Sequence, residues 1–202
     1  GGGPAGSTTA TLLAERGHRV AIIERANFPR YHIGESLTGT VGTYLRQRGL
    51  AAAMQAQNFP VKYGVKVVGG QARSEFFVAV EPEPTWQVRR EDFDRILLEE
   101  ACRHGVEALP LNAGGVLHEG DRVTGLRCLA QNDEVQEIAA RWVVDASGAS
   151  AFLSQAGIAG PCVTQDFGDQ VAVFSQFRDC ERDPGLMDGN TIIFYGERLQ
   201  WS

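Results

Sequence analysis

The chain opens on Gly1-Gly2-Gly3-Pro4-Ala5-Gly6, and this stretch is the first indication of the fold. The spacing Gly-x-Gly-x-x-Gly matches the fingerprint of a dinucleotide-binding loop. In that loop the first glycine permits a tight turn, and the second lets backbone N–H groups approach a pyrophosphate. The third glycine allows a helix to pack closely on a strand, and the N-terminus of that helix adds partial positive charge. Spacing alone is a weak signal, because such glycine patterns also arise by chance.

The residues after the loop supply the context that the motif needs. A helical pattern over residues 5–16 ends at Gly17, and Val20–Ile23 is typical of a fully buried parallel strand. Glu24 closes that strand, roughly 20 residues past the loop, where a carboxylate can hydrogen-bond the ribose hydroxyls of FAD or NAD. The alternative for Glu24 is a solvated charge at a strand end.

The rest of the chain predicts alternating helices and strands, interrupted by a β-rich stretch. Gly69-Gly70 indicates a turn, and residues 119–121 and 131–133 mark the hairpins of a meander. Helices are expected near residues 35–48, 91–104 and 150–156, and strands near 61–69, 75–80, 142–144, 170–178 and 191–195. The predicted fold class is α/β, a doubly wound Rossmann-like domain with a β-meander insertion. Its first strand would precede Gly1, so we expect a partial sequence that is inactive on its own, because it lacks this strand and most of a substrate domain.

Composition excludes several kinds of function. The chain has 202 residues, 43% of them hydrophobic, and a formal net charge of −6, which argues against nucleic-acid and anionic-membrane partners. No apolar run approaches the roughly 20 residues of a membrane span. The cysteines are widely spaced and the histidines lack metal-ligand spacing, so we expect reduced thiols, a cytoplasmic location and no metal site. Of the 19 basic residues other than histidine, only Lys62 and Lys66 are lysines.

Longer motifs resemble a known superfamily. The FAD domain of p-hydroxybenzoate-hydroxylase-like flavoproteins is similar to Gln87-Val88-x-Arg90-x-x-Phe93-Asp94, to the meander with Val116, and to Val143-Val144-Asp145-Ala146-Ser147-Gly148. Within that superfamily, the flavin-dependent halogenases carry segments similar to Phe28-Pro29-Arg30-x-His32-Ile33-Gly34-Glu35-Ser36-Leu37 and to Val61-Lys62-Tyr63-Gly64. Trp201-Ser202 would begin their Trp-x-Trp-x-Ile-Pro motif. Pro4 and Ser7 differ from the tryptophan-specific branch and favour the phenol- and pyrrole-acting branch.

The resemblance implies a cofactor, a reaction and partners. FAD would arrive as FADH₂ from a separate flavin reductase, and a flavin hydroperoxide would oxidise chloride or bromide to hypohalous acid. Lys62 would direct that oxidant onto a phenolic or pyrrolic ring, as a hydrogen-bond donor or as a chloramine; some members take substrates tethered to a carrier protein. Such enzymes serve bacterial secondary metabolism, including antibiotic biosynthesis. The implied FAD-binding residues are Gly1, Gly3, Ala5, Gly6, Ser7, Glu24, Arg25, Ser36, Arg90, Val116, Asp145 and Gly148.

The domain boundaries follow from the same resemblance. An FAD-binding domain would cover residues 1–160, with inserted substrate-side strands at about 60–88, and the truncated start of a mixed-sheet substrate-binding domain would cover 161–202.

Three alternatives remain open. Lys66 could replace Lys62, because residues four apart on a strand face the same side. An aromatic hydroxylase or a geranylgeranyl-reductase-like oxidoreductase would share the fold and make Lys62 incidental. A noncatalytic FAD- or NAD-binding module would hold the cofactor without turnover.

Overall fold

The computed structural model of the chain describes residues 1–69, 75–161, 163 and 173–195. Its helices are α1 (Pro4–Glu15), α2 (Gly39–Gln47), α3 (Ala51–Ala56), α4 (Arg90–Arg103) and α5 (Phe152–Gln155). Its strands are β1 (Ala21–Ile23), β2 (Val61–Lys62), β3 (Gly64–Val68), β4 (Glu75–Ala79), β5 (Thr85–Trp86), β6 (Glu107–Leu109), β7 (Asn112–Glu119), β8 (Arg122–Leu129), β9 (Val135–Ala139) and β10 (Thr191–Phe194).

The chain divides into two units, each formed from two segments. The first unit contains Gly1–Arg30 and Asp94–Phe174, and the second contains Tyr31–Phe93 and Ser175–Ser202. The mixture of helices and sheets confirms the predicted α/β class. The predicted domain boundary at residue 160 stays a prediction.

The first unit is built on a parallel βαβ arrangement. Strand β1 pairs in parallel with β6, with Ile22 opposite Ala108. Helix α1 ends at Gly17, whose φ of +82° suits glycine. The core contains the buried residues Ala10 of α1, Ile22 of β1, Ala101 of α4 and Val106, which directly precedes β6. The predicted helix and parallel strand are thus confirmed, although only Ile22 of β1 is fully buried and Ala21 is exposed.

An antiparallel meander follows in the same unit. Strands β7, β8 and β9 are neighbours in that order, and Val116 lies opposite Leu126. The hairpin turns contain Gly120, with a φ of +57°, and Asp133, with a φ of +60°. Both predicted hairpin positions are confirmed.

The second unit contains two small sheets. Strand β10 pairs in parallel with β3, and β4 pairs antiparallel with β3. The antiparallel pair β2–β5 places Lys62 opposite Thr85. The strands predicted at 61–69, 75–80 and 191–195 are therefore confirmed in place, although Tyr63 interrupts the first. Gly70 of the predicted turn lies outside the described residues.

Helix α2 starts later than predicted. The backbone N–H of Leu37 donates to Trp86 O at 3.2 Å, and the N–H of Val88 donates to Glu35 O at 2.7 Å. Residues 35–37 are therefore extended and paired with residues 86–88, and Thr38 caps the helix by accepting from the N–H of Val41. Helical spacing in this stretch could not reveal a pairing with residues some fifty positions away.

Two predicted strands are wrong. Residues 142–144 form no strand, and the side chains of Trp142 and Val144 are 82% and 58% exposed. Their apolar run suggested burial, but a strand also needs a hydrogen-bonding neighbour, and no described strand pairs with them. Residues 173–178 likewise form no strand, while 170–172 lie outside the described residues. The helix predicted near 150–156 is confirmed by a 3₁₀ turn at Gly148–Ser150 and by α5.

Within the described part of the chain, no helix is long and apolar enough to cross a membrane. The same residues contain no group of three or more His, Cys, Asp or Glu side chains arranged to hold a metal ion. Cys102, Cys128 and Cys180 are free thiols.

Candidate functional site

The glycine loop of the first unit is closed so tightly that side chains would not fit. A Cβ at Gly6 would overlap the carbonyl oxygen of Gly1, and one at Gly1 would lie 2.6 Å from Ala146 O. The hydroxyl of Ser7, which is fully buried, donates to Gly2 O at 3.0 Å and braces the turn from inside. The glycines at positions 1 and 6 are therefore required by close packing, as the fingerprint predicts.

The start of α1 is left open for an anion. Gly3 caps the helix without a side-chain hydrogen bond, Pro4 opens the first turn, and that turn contains no acidic residue. The backbone N–H groups of Ala5 and Gly6 lie in this first turn, where a helix leaves its N–H groups without intrahelical partners. A helix N-terminus of this kind attracts phosphate through those N–H groups and its dipole.

Glu24 lies against the loop, although it is far from it in sequence. Its Oε2 accepts from the backbone N–H of Gly2 at 2.7 Å, and its Oε1 accepts from the N–H of Ala26 at 2.9 Å. Each carboxylate oxygen can accept a further hydrogen bond. The spacing argument thus predicted a carboxylate that lies beside the loop, and its contact with the cofactor stays a prediction.

Arg30 and Asp94 form a second polar layer that the sequence analysis did not assign. Arg30 Nη1 lies 3.3 Å from Asp94 Oδ2, and Nη2 lies 3.8 Å from Glu24 Oε2. Asp94 is fully buried, and a Cβ at Gly3 would lie 3.3 Å from Arg30 Nη2. Both residues occur in the motifs quoted above. Their pairing could not be read from spacing, because more than sixty residues separate them.

Asp145 organises the turn before α5. Its Oδ1 accepts from the N–H of Ser147 at 2.9 Å, and its Oδ2 accepts from the N–H of Leu153 at 2.8 Å. Burial alone would raise the pKa of this carboxyl, but hydrogen bonds from Ser147 and from the backbone of Leu153 outweigh it and hold the pKa below its ordinary value of 3.8. Asp145 is therefore a fixed anion at the turn.

Three other predicted FAD-binding residues occupy varied places in the first unit. Arg25 is exposed, Val116 is half-buried in β7, and Gly148 has a φ of +64° in the turn after Asp145. Their predicted contacts with the cofactor stay predictions.

In the second unit, Arg90 holds the Gly-Glu-Ser turn. Its Nη1 donates to Ile33 O at 2.6 Å. Gly34 has a φ of +103°, and a Cβ there would lie 3.1 Å from Arg90 Nη1. Glycine at position 34 thus allows both the left-handed backbone and the close approach of the guanidinium.

Lys62 is buried, with 6% of its surface exposed. Its Nζ donates to Ser36 Oγ at 2.7 Å and to Leu37 O at 3.1 Å, both neutral acceptors. Burial lowers the pKa of the Lys62 ammonium below its ordinary value of 10.5. A buried lysine of this kind reaches the neutral amine more easily than a solvated one.

Lys66 has a different environment. Its Nζ forms an ion pair with Asp183 Oδ2 at 3.2 Å. Because an opposite charge favours the ammonium form, this lysine is less suited to act as an amine. The two lysines that the sequence left as alternatives are thus chemically distinct.

The hydroxyl of Ser36 connects Lys62 to two further polar residues. Ser36 Oγ and Thr191 Oγ1 are 2.9 Å apart, and Gln87 Nε2 donates to Thr191 Oγ1 at 2.9 Å. An isolated bridge also pairs Ser36 with Gln87. Nothing in the sequence marked Thr191, because it lies 155 residues from Ser36.

The residues of the first unit fit FAD. The open start of α1 and the glycines that close its loop suit a pyrophosphate, and Glu24 beside Gly2 suits an adenosine ribose.

Comparison with known proteins agrees with this geometry. A family model described as an FAD-binding domain matches residues 1–174. A 1H-pyrrole-2-carbonyl-(peptidyl-carrier protein) brominase of Pseudoalteromonas luteoviolacea (strain 2ta16) is 42% identical, covering 100% of this chain and 49% of the brominase. A tryptophan 2-halogenase of Chondromyces crocatus is 38% identical, covering 82% of this chain and 30% of its own length.

A solved structure gives the same result. The flavin-dependent brominase Bmp2 superposes with a TM-score of 0.87 at 36% identity, covering 100% of this chain and 50% of the brominase chain. The chain thus spans half or less of the length of these three proteins. They confirm its resemblance to the flavin-dependent halogenases. The match to the family model over residues 1–174 shows that the chain belongs to the family of FAD-binding domains.

Proposed function

We propose that this chain serves a flavin-dependent halogenase in which Lys62 directs the halogen onto an electron-rich aromatic ring. The observation that carries the proposal is a buried lysine with neutral hydrogen-bond partners. It occurs in a chain that is 42% identical to a brominase. The lowered pKa of Lys62 suits a reactive amine, whereas the ion pair of Lys66 with Asp183 stabilises an ammonium.

The FAD-binding part of the proposal rests mainly on the first unit. The glycine loop and the N–H groups of Ala5 and Gly6 would hold the pyrophosphate, and Glu24 would hold the adenosine ribose. Asp145, Arg90 and the other predicted residues, with the exception of Ser36, complete the proposed set. When bound, reduced FAD would supply the electrons that convert O₂ into the oxidant of the halide.

Lys62 can act on hypohalous acid in two ways. As an ammonium it would donate a hydrogen bond that polarises the oxidant. As an amine its nitrogen would attack the halogen, forming an N–X bond and breaking the O–X bond, while the lysine proton leaves with the oxygen as water. The ring would then take the halogen from nitrogen and return a proton to the amine.

The substrate and partners are parts of the same proposal. The brominase named above acts, by its name, on a pyrrole carried by a peptidyl carrier protein, and we infer a pyrrolic or phenolic substrate bound in this way. A separate flavin reductase would supply FADH₂. The free thiols of Cys102, Cys128 and Cys180 support a cytoplasmic location.

An assay of reaction products tests the proposal. The full-length protein is incubated with a flavin reductase, NADH, FAD, O₂, bromide or chloride, and a pyrrole-2-carbonyl carrier protein. Intact-mass spectrometry of the carrier should show the halogen isotope pattern. A product with one added oxygen would support an aromatic hydroxylase instead. Bound FAD without any product would support the noncatalytic module.

A further inference from the structure

The neighbours of Lys62 form a continuous line of hydrogen bonds. The ammonium donates to Ser36 Oγ at 2.7 Å, Ser36 meets Thr191 at 2.9 Å, and Gln87 donates to Thr191 at 2.9 Å. Lys62 is buried, whereas Ser36 is exposed. The buried ammonium of Lys62 is therefore hydrogen-bonded to a residue at the surface of this unit, through the hydroxyl of Ser36.

Three separate segments build this line. Ser36 lies in the extended segment that pairs with residues 86–88, and Gln87 belongs to that pairing partner. Thr191 begins β10, which is positioned independently: Asn190 Oδ1 accepts from the backbone N–H groups of Tyr63 and Gly64 at 2.7 and 2.8 Å. Because Asn190 attaches β10 directly after Lys62, Thr191 lies within hydrogen-bond distance of the Ser36 hydroxyl.

Charged side chains on the segments that neighbour Lys62 are either paired with other groups or exposed. Arg46 of α2, which packs on β5, forms an ion pair with Glu83 at 3.3 Å. Lys66 pairs with Asp183, and Glu35, beside Ser36, is exposed. The pKa of Lys62 is lowered by burial. A neutral hydroxyl that accepts from the ammonium therefore has a strong influence on its protonation.

We propose that Ser36 is a positioning residue for Lys62, held in place by Thr191 and Gln87, rather than a ligand of FAD. Its hydroxyl fixes the direction of Nζ and stabilises the ammonium form. This inference deepens the proposed function and rests on it where halogenation is concerned. The position and protonation of Lys62 can nevertheless be measured without any turnover.

The scarcity of lysine allows a direct experiment. The chain contains only Lys62 and Lys66, so ¹³C-labelled lysine should give two titrating NMR signals, assigned with Lys66→Arg. In Ser36→Ala, the pKa of Lys62 should fall by about one unit, a tenfold change in the ammonium-to-amine ratio. The loss of an acceptor destabilises the ammonium. The signal of Lys66 should not move.

Further variants separate positioning from folding. Ser36→Thr keeps the hydroxyl and should restore the titration of Lys62, and Thr191→Val should shift it in the same direction by less. Thr40→Val makes the same change at an exposed position of α2 and should shift nothing. If Ser36→Ala does not fold, the pKa of Lys62 in Thr191→Val becomes the test. An unchanged Lys62 pKa in the folded variant would overturn the inference.

The pH profile of halogenation links positioning to chemistry. In Ser36→Ala, the part of the pH–rate profile that reflects the titration of Lys62 should move to lower pH, by the same amount as the pKa measured by NMR. This holds whichever protonation state of Lys62 reacts. A uniform loss of kcat with no shift of this part of the profile would overturn the positioning role. If the NMR pKa shifts but a Lys62→Ala protein still halogenates, the inference stands and the proposed function fails. If Lys62→Ala abolishes halogenation but Ser36→Ala leaves both titrations unchanged, the function stands and the inference fails.

Discussion

At the scale of single residues, Glu24 combines two duties, because it braces the glycine loop and is the proposed ligand of the adenosine ribose. Glu24→Ala should weaken FAD affinity roughly tenfold to a hundredfold, since hydrogen bonds to a charged group contribute about 1.5–3 kcal/mol. Titration of FAD fluorescence measures the change. Glu119→Ala, in the exposed hairpin of the meander, is the control. Equal affinities for the two variants would remove Glu24 from the site.

Asp145 should make stability depend on pH. Its folded pKa lies below the ordinary value of 3.8, so its contribution is present above that value and is lost as the pH falls through the folded pKa. Asp145→Asn should therefore lower the free energy of unfolding by roughly 0.5–1 kcal/mol at pH 7. At a pH below the folded pKa of Asp145, both proteins carry a neutral side chain at this position, so their free energies of unfolding should become similar.

Urea denaturation at both pH values checks the Asp145 prediction. Asp121→Asn, at an exposed hairpin turn, should change stability at neither pH. A deficit of Asp145→Asn that is the same at both pH values would show that the charge of this carboxylate does not matter.

Residue spacing predicted some site residues and missed others for a physical reason. Glu24 was found because the loop, helix and strand of a dinucleotide fold are contiguous in sequence, so a fixed spacing becomes a fixed position. Lys62 was singled out by the rarity of lysine and by resemblance. The partners Arg30–Asp94 and Ser36–Thr191 were missed because each contact joins segments distant in sequence, and tertiary packing alone brings them together.

At the scale of secondary-structure elements, we expect the stability of the second unit to depend on the hydrogen bonds that attach the start of β10 to the end of β2. Asn190 Oδ1 accepts from two backbone N–H groups, those of Tyr63 and Gly64. Asn190→Ala should destabilise the protein by about 1–3 kcal/mol, because partly buried donors lose their acceptor. Chemical denaturation measures this.

Two matched variants sharpen the Asn190 test. Asn190→Asp keeps the acceptor oxygens and should retain most of the stability. Asn112→Ala, at an exposed position in β7, should have little effect. If Asn190→Ala unfolds at the same denaturant concentration as the unchanged protein, β10 is held by its strand pairing alone.

Elements ended by glycine were predicted well, whereas elements that depend on a distant neighbour were not. Gly17, Gly49 and Gly105 all have positive φ at the ends of predicted helices, because the signal is local. The start of α2 was placed too early, since residues 35–37 pair with residues 86–88 instead. The strand expected at 142–144 was wrong, because an apolar run does not supply a hydrogen-bonding partner.

At the scale of the whole molecule, the first unit contains the features expected of an FAD site and the second contains the buried lysine. The fold class was predictable from the opening glycines and the elements that follow them.

The most direct test of the account is the amount of halogenated product formed by the full-length Lys62→Met protein while it consumes reduced FAD. Methionine preserves the length of the side chain and removes the nitrogen. We predict unchanged oxidation of reduced FAD and no halogenated product. Lys66→Met, which removes the ion-pair partner of Asp183, should still halogenate. Halogenation by the Lys62→Met protein at the rate of the unchanged protein would contradict the account.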